Sequence, residues 1–305
     1  MATKVLIATE KPFAPIAVKG IREIVEKAGF ELKLLEKYTT KEELINAAAD
    51  ADAMIVRSDK VTADVIKAAK NMKIVVRAGA GYDNLDLAAC TAHKVVAMNT
   101  PGQNSNAVAE LEFGMLLYMF RNSFDGSSGS ELKDKKFGIA AYGNIGRNVA
   151  RIAKGFGMDV YAFSRSSEAV AKKDGVKTVG SLEELFKTCD IVSVHYPSND
   201  KTKKCINYDL VKLMPKGGVL VNTARKEIID EEGLLKAMQE REDLKYATDI
   251  MPVKAEEFAP LKGRYFSTPK KMGAQTKEAN INAGLAAANQ IVDYIKNGNE
   301  TFKVN

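Results

Sequence analysis

The residues with the plainest chemistry lie between Lys136 and Phe156, KFGIAAYGNIGRNVARIAKGF. Phe137 to Ala141 is a short apolar run suited to a buried parallel strand. Tyr142 to Gly146 turns tightly. Ile145, Val149, Ile152, Ala153 and Phe156 then recur at i, i+4, i+7, i+8 and i+11, which is one apolar stripe of a helix. A second strand, Asp159–Phe163, closes a βαβ unit of about thirty residues. Gly143, Asn144, Ile145 and Gly146 would aim backbone N–H groups, and the positive end of a helix dipole, at the pyrophosphate of a dinucleotide. A glycine pattern alone is weak; framed by a strand on each side and a helix, it predicts a dinucleotide site.

Two departures from the ideal pattern carry consequences. Its first glycine is Ala141, which fits the turn if its φ is negative. Eighteen residues after Gly146, where a carboxylate would hold the adenosine ribose diol, stand Ser164 and Arg165. The group that repels a 2′-phosphate is missing and a cation sits beside the gap, so NAD is expected to work and NADP to be accepted as well.

The elements that must position this turn extend over the whole chain. At 305 residues, 46% hydrophobic and 28% charged, the composition is that of a globular protein with room for two domains. No apolar run approaches the roughly twenty residues of a membrane span. The chain opens directly on strand-like Lys4–Thr9, with nothing resembling a leader ahead of it, and three cysteines (Cys90, Cys189, Cys205) lack paired or metal-type spacing. A cytoplasmic protein without a metal is expected. A net charge of +6 among 39 acidic residues favours small anions slightly and does not suggest nucleic acid.

Strand-like Lys4–Thr9, Phe30–Leu35, Ala53–Val56, Ile74–Val76 and Val95–Met98 alternate with helical patterns over the first hundred residues. A long helix over 104–121 is apolar on all sides, which predicts burial in a core or in the interface of a homodimer. Asn122–Ser130 reads as a polar linker. Strands near Phe137, Val160, Ile191, Val219 and Ala247 then repeat the alternation, with helices at Leu210–Met214 and Glu231–Glu240 and a last amphipathic helix over Thr276–Asn297. The expected fold class is α/β, two doubly wound parallel-sheet domains. One is a flavodoxin-like substrate domain (1–99 with 277–305) and the other a Rossmann NAD-binding domain (100–276). A cleft between two such domains is the default place for a cofactor on one wall and a substrate on the other.

Along nearly its whole length the chain resembles the D-2-hydroxyacid dehydrogenases, and within them the phosphoglycerate dehydrogenase subfamily. The resemblance rests on Val56–Ser58, Arg77–Asp86, Asn99–Ser105, Ala109–Leu111, Ala141–Gly146, His195–Pro197, Met214–Gly218, Val221–Arg225, Asp249 and Thr268–Pro269, in that order. It implies reversible hydride transfer between a nicotinamide and C2 of a 2-hydroxy acid, here a small phosphorylated anion. Such a reaction needs a fixed cation at the developing carbonyl and an acid/base group for the hydroxyl proton.

By this resemblance Arg225 is the cation, although the glycine that usually follows it is Lys226. Asp249 would accept the nicotinamide carboxamide, and Tyr196, Pro197, Thr202, Thr223, Ala224 and Gly273 would line the cofactor. The histidine that follows Thr-Pro in the family is missing. Lys270 or Lys271 takes its place, depending on which side of the loop is aligned. The carboxylate that tunes the histidine falls on Lys254, which leaves Glu256 and Glu257 as the nearest acids, of which Glu257, just before Phe258, is the candidate. Arg57 would hold the substrate phosphate, Ser58 and Asn104 would add polar contacts, and Ala78 and Gly79 would offer N–H groups to its carboxylate. The chain ends soon after the last helix, without the C-terminal regulatory domain of many relatives, so serine is not expected to inhibit from a distant site. Rival readings are a glyoxylate or hydroxypyruvate reductase of the same family, and a non-catalytic NAD-sensing corepressor-like protein.

Overall fold

The structure, a computed structural model, describes residues 2–164 and 166–305. In chain order the first elements are β1 (Lys4–Thr9), α1 (Pro15–Lys27), β2 (Glu31–Glu36), α2 (Lys41–Ala48), β3 (Ala53–Val56), α3 (Ala63–Ala68), β4 (Ile74–Arg77), α4 (Leu87–Ala92) and β5 (Val96–Asn99). There follow α5 (Ser105–Phe120), β6 (Lys136–Ala140), α6 (Asn144–Gly155), β7 (Asp159–Phe163), α7 (Glu168–Lys173), β8 (Lys177–Thr178), α8 (Leu182–Thr188) and β9 (Ile191–Val194). The chain closes with α9 (Tyr208–Val211), β10 (Val219–Asn222), α10 (Glu231–Glu240), β11 (Lys245–Thr248), α11 (Ala255–Phe258), β12 (Tyr265–Ser267) and α12 (Lys277–Asn297). Residues up to Asn104 together with Gln275–Asn305 form one unit, and Ser105–Ala274 form the other. The polar stretch 122–130, read above as a linker, therefore lies inside the second unit, where Ser130 N–H donates to Phe120 O.

The first unit holds a parallel sheet in the order β2-β1-β3-β4-β5, the flavodoxin-like arrangement. Its inner strands are apolar without a break because both faces are covered. Leu6, Ala8, Met54 and Val56 face Leu44, Val65, Ile66 and Cys90 of α2, α3 and α4. Their neighbours Val5, Ile7, Ala53 and Ile55 face Ala17 and Ile21 of α1 and Ala287, Ala288 and Ile291 of α12. Thr276 caps α12 by accepting from Ala279 N–H, and the close approach of Gly284 to Phe13 and Ile21 lets α12 pack tightly.

The second unit carries seven parallel strands in the order β12-β11-β10-β9-β6-β7-β8. The order reverses between β6 and β9, so the glycine turn after β6 opens at the switch point where doubly wound sheets bind ligands. Phe137, Ile139, Val160 and Val221 pack on one face with α5 and α6, while Val192, Val194, Leu220 and Tyr246 pack on the other with Leu185, Leu210, Leu235 and Phe258. The sequence patterns left out β8 and β12, which at two and three residues are too short to show a period. No helix among the described residues is long and apolar enough to cross a membrane.

Two expectations change here. The apolar surface of α5 is covered by its own unit: Phe113, Met115, Leu116, Met119 and Phe120 are buried in the core with Phe137 and Val149. The helix therefore supplies no uncovered face that calls for a second subunit. Ala141 adopts φ +79°, not a negative angle. An L-residue held there costs roughly 1–2 kcal/mol over glycine, less the extra chain entropy that glycine loses on folding. Ala141→Gly should stabilise the protein by about 0.5–1 kcal/mol, seen as a higher urea midpoint at unchanged slope. A lower midpoint would show that the turn tolerates the methyl group without strain.

Candidate active site

Apart from Glu257, the sequence-predicted residues of the second unit follow its strands at the carboxyl edge of the sheet. The turn after β6 begins α6 at Gly143, and Asn144, Ile145 and Gly146 form its first turn. Apart from its chain neighbours, no atom of the described residues lies within 4 Å of where a Gly143 side chain would start, so the backbone is open to a ligand. At Gly146 a Cβ would meet Ala141 O at 2.8 Å and Ile139 Cγ2 at 3.0 Å, so only glycine lets α6 sit this close to β6. An exposed run of N–H groups at a helix start fits a pyrophosphate. Ser164 follows β7 half-buried, with no carboxylate in its place. Arg165, the cation expected beside it, lies outside the described residues.

At the end of β10, Asn222 shapes the turn that presents Arg225. Its side chain accepts from Ala224 N–H (3.0 Å) and donates to Arg225 O (3.0 Å), while its carbonyl takes Asp249 N–H (3.1 Å) and the Thr248 hydroxyl (3.0 Å). Asp249, 1% exposed, folds the following loop back over the strand ends. Its Oδ1 accepts from the Thr268 hydroxyl (2.9 Å) and Met272 N–H (2.9 Å), and its Oδ2 from Gly273 N–H (2.7 Å). Gly273 is required, because a Cβ would stand 2.9 Å from Asp249 Oδ2.

That loop carries Lys271, whose Nζ lies 3.4 Å from Ala224 O, the oxygen that also takes Arg225 Nη1 at 2.9 Å. The two cations thus converge on one carbonyl. Lys270 is exposed, and its carbonyl accepts the Thr268 hydroxyl at 3.0 Å. Between the two lysines, the geometry brings Lys271 to Arg225.

Other predicted residues are engaged differently. Glu257 sits exposed on α11, paired with Lys254 Nζ at 3.0 Å, and that ammonium also lies 3.5 Å from Glu232. It belongs to a surface charge cluster with Lys254 and Glu232. Adjacent glutamates on a one-turn helix have nothing apolar to turn them inward. The Thr202 hydroxyl donates to Pro197 O (2.6 Å) and takes Asn199 N–H (2.9 Å), closing the turn after Tyr196 and Pro197.

In the first unit, Arg57 follows β3. Its Nη1 donates to Lys11 O (2.8 Å) and Pro12 O (3.0 Å), its Nη2 to Asn280 Oδ1 (2.6 Å), and the guanidinium lies over the Phe13 ring. Burial works against its charge and Asp59 works for it. Asp59 also takes Arg57 N–H (3.1 Å), Glu10 N–H (2.7 Å) and the Tyr38 hydroxyl (2.9 Å), which fixes the loop. Ser58 beside it is exposed, and Asn104 Oδ1 is buried without a partner. The N–H groups expected to greet a substrate carboxylate are occupied. Ala78 donates to Val56 O (2.8 Å), where β3–β4 pairing runs one residue beyond the strand, and Gly79 donates to Arg77 O (2.9 Å) in a tight turn two residues back along its own chain.

The structure adds a residue the sequence reading passed over. Glu112, on α5, is fully buried. Its Oε2 takes the Thr223 hydroxyl at 3.5 Å and lies 3.8 Å from His195 Nε2, which contacts Ser193 Oγ at 2.9 Å. Burial pushes the Glu112 carboxyl up to about 8, against the opposing hydrogen bonds from Ser193 and Thr223. Burial also pulls the His195 imidazole down to about 3. Near neutral pH the pair is therefore uncharged. A signal existed: Glu110 and Glu112 are two residues apart on a helix apolar all round, and such positions point about 200° apart, so one had to face inward. Among the described residues no group of three or more His, Cys, Asp or Glu side chains is placed to hold a metal.

Residues 112–270 match the family model described as D-isomer specific 2-hydroxyacid dehydrogenase, NAD binding domain. A crystal structure described as cofactor (NAD+) bound 3-phosphoglycerate dehydrogenase of Entamoeba histolytica superposes with a TM-score of 0.87 at 51% identity, covering 100% of this chain and 99% of that one. The chain is 38% identical over 302 residues to D-3-phosphoglycerate dehydrogenase of Rattus norvegicus, which covers 93% of this chain and 56% of the rat protein. It is 36% identical over 218 residues to hydroxypyruvate reductase of Thermotoga maritima, covering 67% of this chain and 70% of that protein. The chain spans about half the length of the curated phosphoglycerate dehydrogenases it matches.

Proposed function

The chain belongs to the D-isomer-specific 2-hydroxyacid dehydrogenase family, and from that premise we propose that it oxidises 3-phosphoglycerate to 3-phosphohydroxypyruvate with NAD, the entry to serine synthesis. The observation that carries the chemistry is the convergence of Arg225 and Lys271 on Ala224 O. The Arg225 guanidinium is always charged and can grip carboxylate and carbonyl oxygens as a fork. In oxidation the neutral Lys271 amine takes the C2 hydroxyl proton onto Nζ; in reduction the ammonium returns it. A bound nicotinamide supplies or receives the hydride. Asp249 holds the lysine loop in register through its three hydrogen bonds. We assign the substrate phosphate to Arg57 and the cofactor pyrophosphate to the turn Gly143–Gly146.

Steady-state kinetics test this reading. The protein should turn over 3-phosphoglycerate with NAD, and 3-phosphohydroxypyruvate should exceed hydroxypyruvate in kcat/KM in the reverse direction. The opposite order with hydroxypyruvate would move the protein to the reductase reading.

With Ser164 where a carboxylate would stand, NADP should also be accepted. Ser164→Asp should then lower kcat/KM for NADP at least tenfold relative to NAD, by repulsion of the 2′-phosphate. An unchanged NADP/NAD ratio would remove Ser164 from the ribose site. A homodimer, the commonest closed assembly of identical chains, is the one we propose, and Phe124, 66% exposed on the second unit, is the apolar side chain to test as its contact. Light scattering at micromolar concentration should give twice the chain mass, and a Phe124→Ser variant should shift toward monomer. The free thiols of Cys90, Cys189 and Cys205 support a reducing, cytoplasmic location.

A further inference from the structure

We propose that Glu112 is a positioning residue for this reaction: its carboxyl, joined to Thr223, Ser193 and His195, sets the end of β10 and with it Arg225 and the Ala224 carbonyl that Lys271 addresses. The inference rests on the dehydrogenase reading for its meaning, and on the second unit alone for its geometry. Glu112 is fully buried on α5, and a buried carboxyl is retained at a cost unless its hydrogen bonds do something an apolar side chain cannot. Here they join three chain segments. Thr223 Oγ1 donates to Oε2 from the residue just before Ala224, and Ser193 and His195 follow along the neighbouring strand end. The Thr223 backbone is held on its other side by the Asn222 side chain, which bonds Ala224 N–H and Arg225 O. The turn that aims Arg225 is thus pinned by Asn222 from within and by Glu112 from α5.

The pin works while it carries no charge. Glu112, pushed up to about 8, and His195, pulled down to about 3, are both neutral between those values. Other charged groups on the surrounding elements are turned elsewhere. On α5 itself, Glu110 takes Asn106; on α6, Arg151 donates to Asn106 Oδ1 and Arg147 and Lys154 bind Asp174. Lys245 of β11 lies over the Phe120 ring, Asp249 at that strand's end accepts Met272 and Gly273, and Arg225 reaches Ala224 O. His195 is the ionisable side chain in contact with the carboxyl. Ionisation would place an uncompensated charge beside Thr223 and loosen the pin.

Glu112→Gln and Glu112→Leu separate the possibilities. Glutamine keeps the shape and the acceptor for Thr223 without a charge. Leucine keeps volume but removes the acceptor of the Thr223 hydroxyl, while Ser193 keeps its contact with His195. At pH 7, Glu112→Gln should hold kcat within about threefold of wild type, and Glu112→Leu should lower it at least tenfold with NADH affinity, read by fluorescence, within about threefold. The wild-type to Glu112→Gln ratio of kcat should fall at least fivefold between pH 7 and pH 9.5. Hydrogen exchange of the peptide spanning 221–226 reads the same positioning without substrate: at least tenfold faster in Glu112→Leu, unchanged in Glu112→Gln. Equal exchange in wild type and Glu112→Leu overturns the inference whatever the substrate proves to be. A wild type inactive on 3-phosphoglycerate and 3-phosphohydroxypyruvate would overturn the functional reading, while the exchange still judges Glu112.

Discussion

Replacing Lys271 with methionine should lower kcat by about two to four orders of magnitude and leave the dissociation constant of NADH within about twofold. Methionine keeps most of the apolar stem and removes the only part that can carry a proton. The loop itself should not move, because Asp249 holds it through the Thr268 hydroxyl and the N–H groups of Met272 and Gly273, none of which involves the lysine side chain. Lys270→Met supplies the contrast. Lys270 is exposed and its carbonyl is the part the loop uses, so that variant should stay within about threefold of wild type. Lys271→Arg then separates two roles that the methionine variant confounds. A guanidinium preserves the positive charge beside Arg225 but cannot surrender its proton at any working pH. A base must fail as arginine, whereas a mere charge would survive. If Lys271→Arg retains most of kcat, the lysine acts electrostatically; if Lys271→Met does too, the acid/base group is elsewhere.

The two sheets were readable because buried parallel strands announce themselves as unbroken apolar runs, and the helices between them carry a period the strands lack. The glycine turn was readable for a related reason: Gly146 is demanded by a 2.8 Å approach to Ala141 O that no other residue permits. Ala141 shows the limit of that logic. Its φ of +79° is set by the strand-to-helix turn, whereas the sequence reading admits alanine there on condition of a negative φ. Glu257 shows the limit of spacing alone. The expected position beyond Asp249 falls on Lys254, and the acid chosen near it pairs with that lysine's ammonium on the surface. Asp249 is expected from the sequence to meet the nicotinamide, and in this structure it closes the lysine loop, a role that depends on backbone N–H groups no side-chain pattern encodes. Ala78 and Gly79 are similar: the Ala78 N–H is taken because strand pairing runs one residue farther than the apolar run, and the Gly79 N–H because the chain turns back onto Arg77 O.

Glu112→Gln should make the protein more stable than wild type at alkaline pH, and by an amount that depends on pH in a defined way. In the folded chain burial raises the carboxyl to about 8, while in the unfolded chain it titrates near the ordinary glutamate value of about 4.3. Below about pH 4 both states are protonated and the carboxyl contributes no pH dependence. Between the two values the unfolded chain has released the proton and the folded chain still binds it, so the stability of wild type falls as pH rises, by about 1.4 kcal/mol per pH unit. Above about pH 8 both states are ionised and the difference stops growing. Glutamine has no proton to lose, and every other titrating group is common to the two proteins, so their difference isolates position 112. The stability of Glu112→Gln minus that of wild type should therefore climb from pH 4.5 to pH 8 by about 4–5 kcal/mol and then level off. The constant offset between the curves reflects how well the amide fits among Ser193, Thr223 and His195, so the slope is the quantity to read. Urea unfolding at half-unit pH steps measures it. A flat difference across that window would mean that Glu112 is ionised in the folded protein, that the pair with His195 is charged after all, and that the uncharged pin beneath Arg225 does not exist.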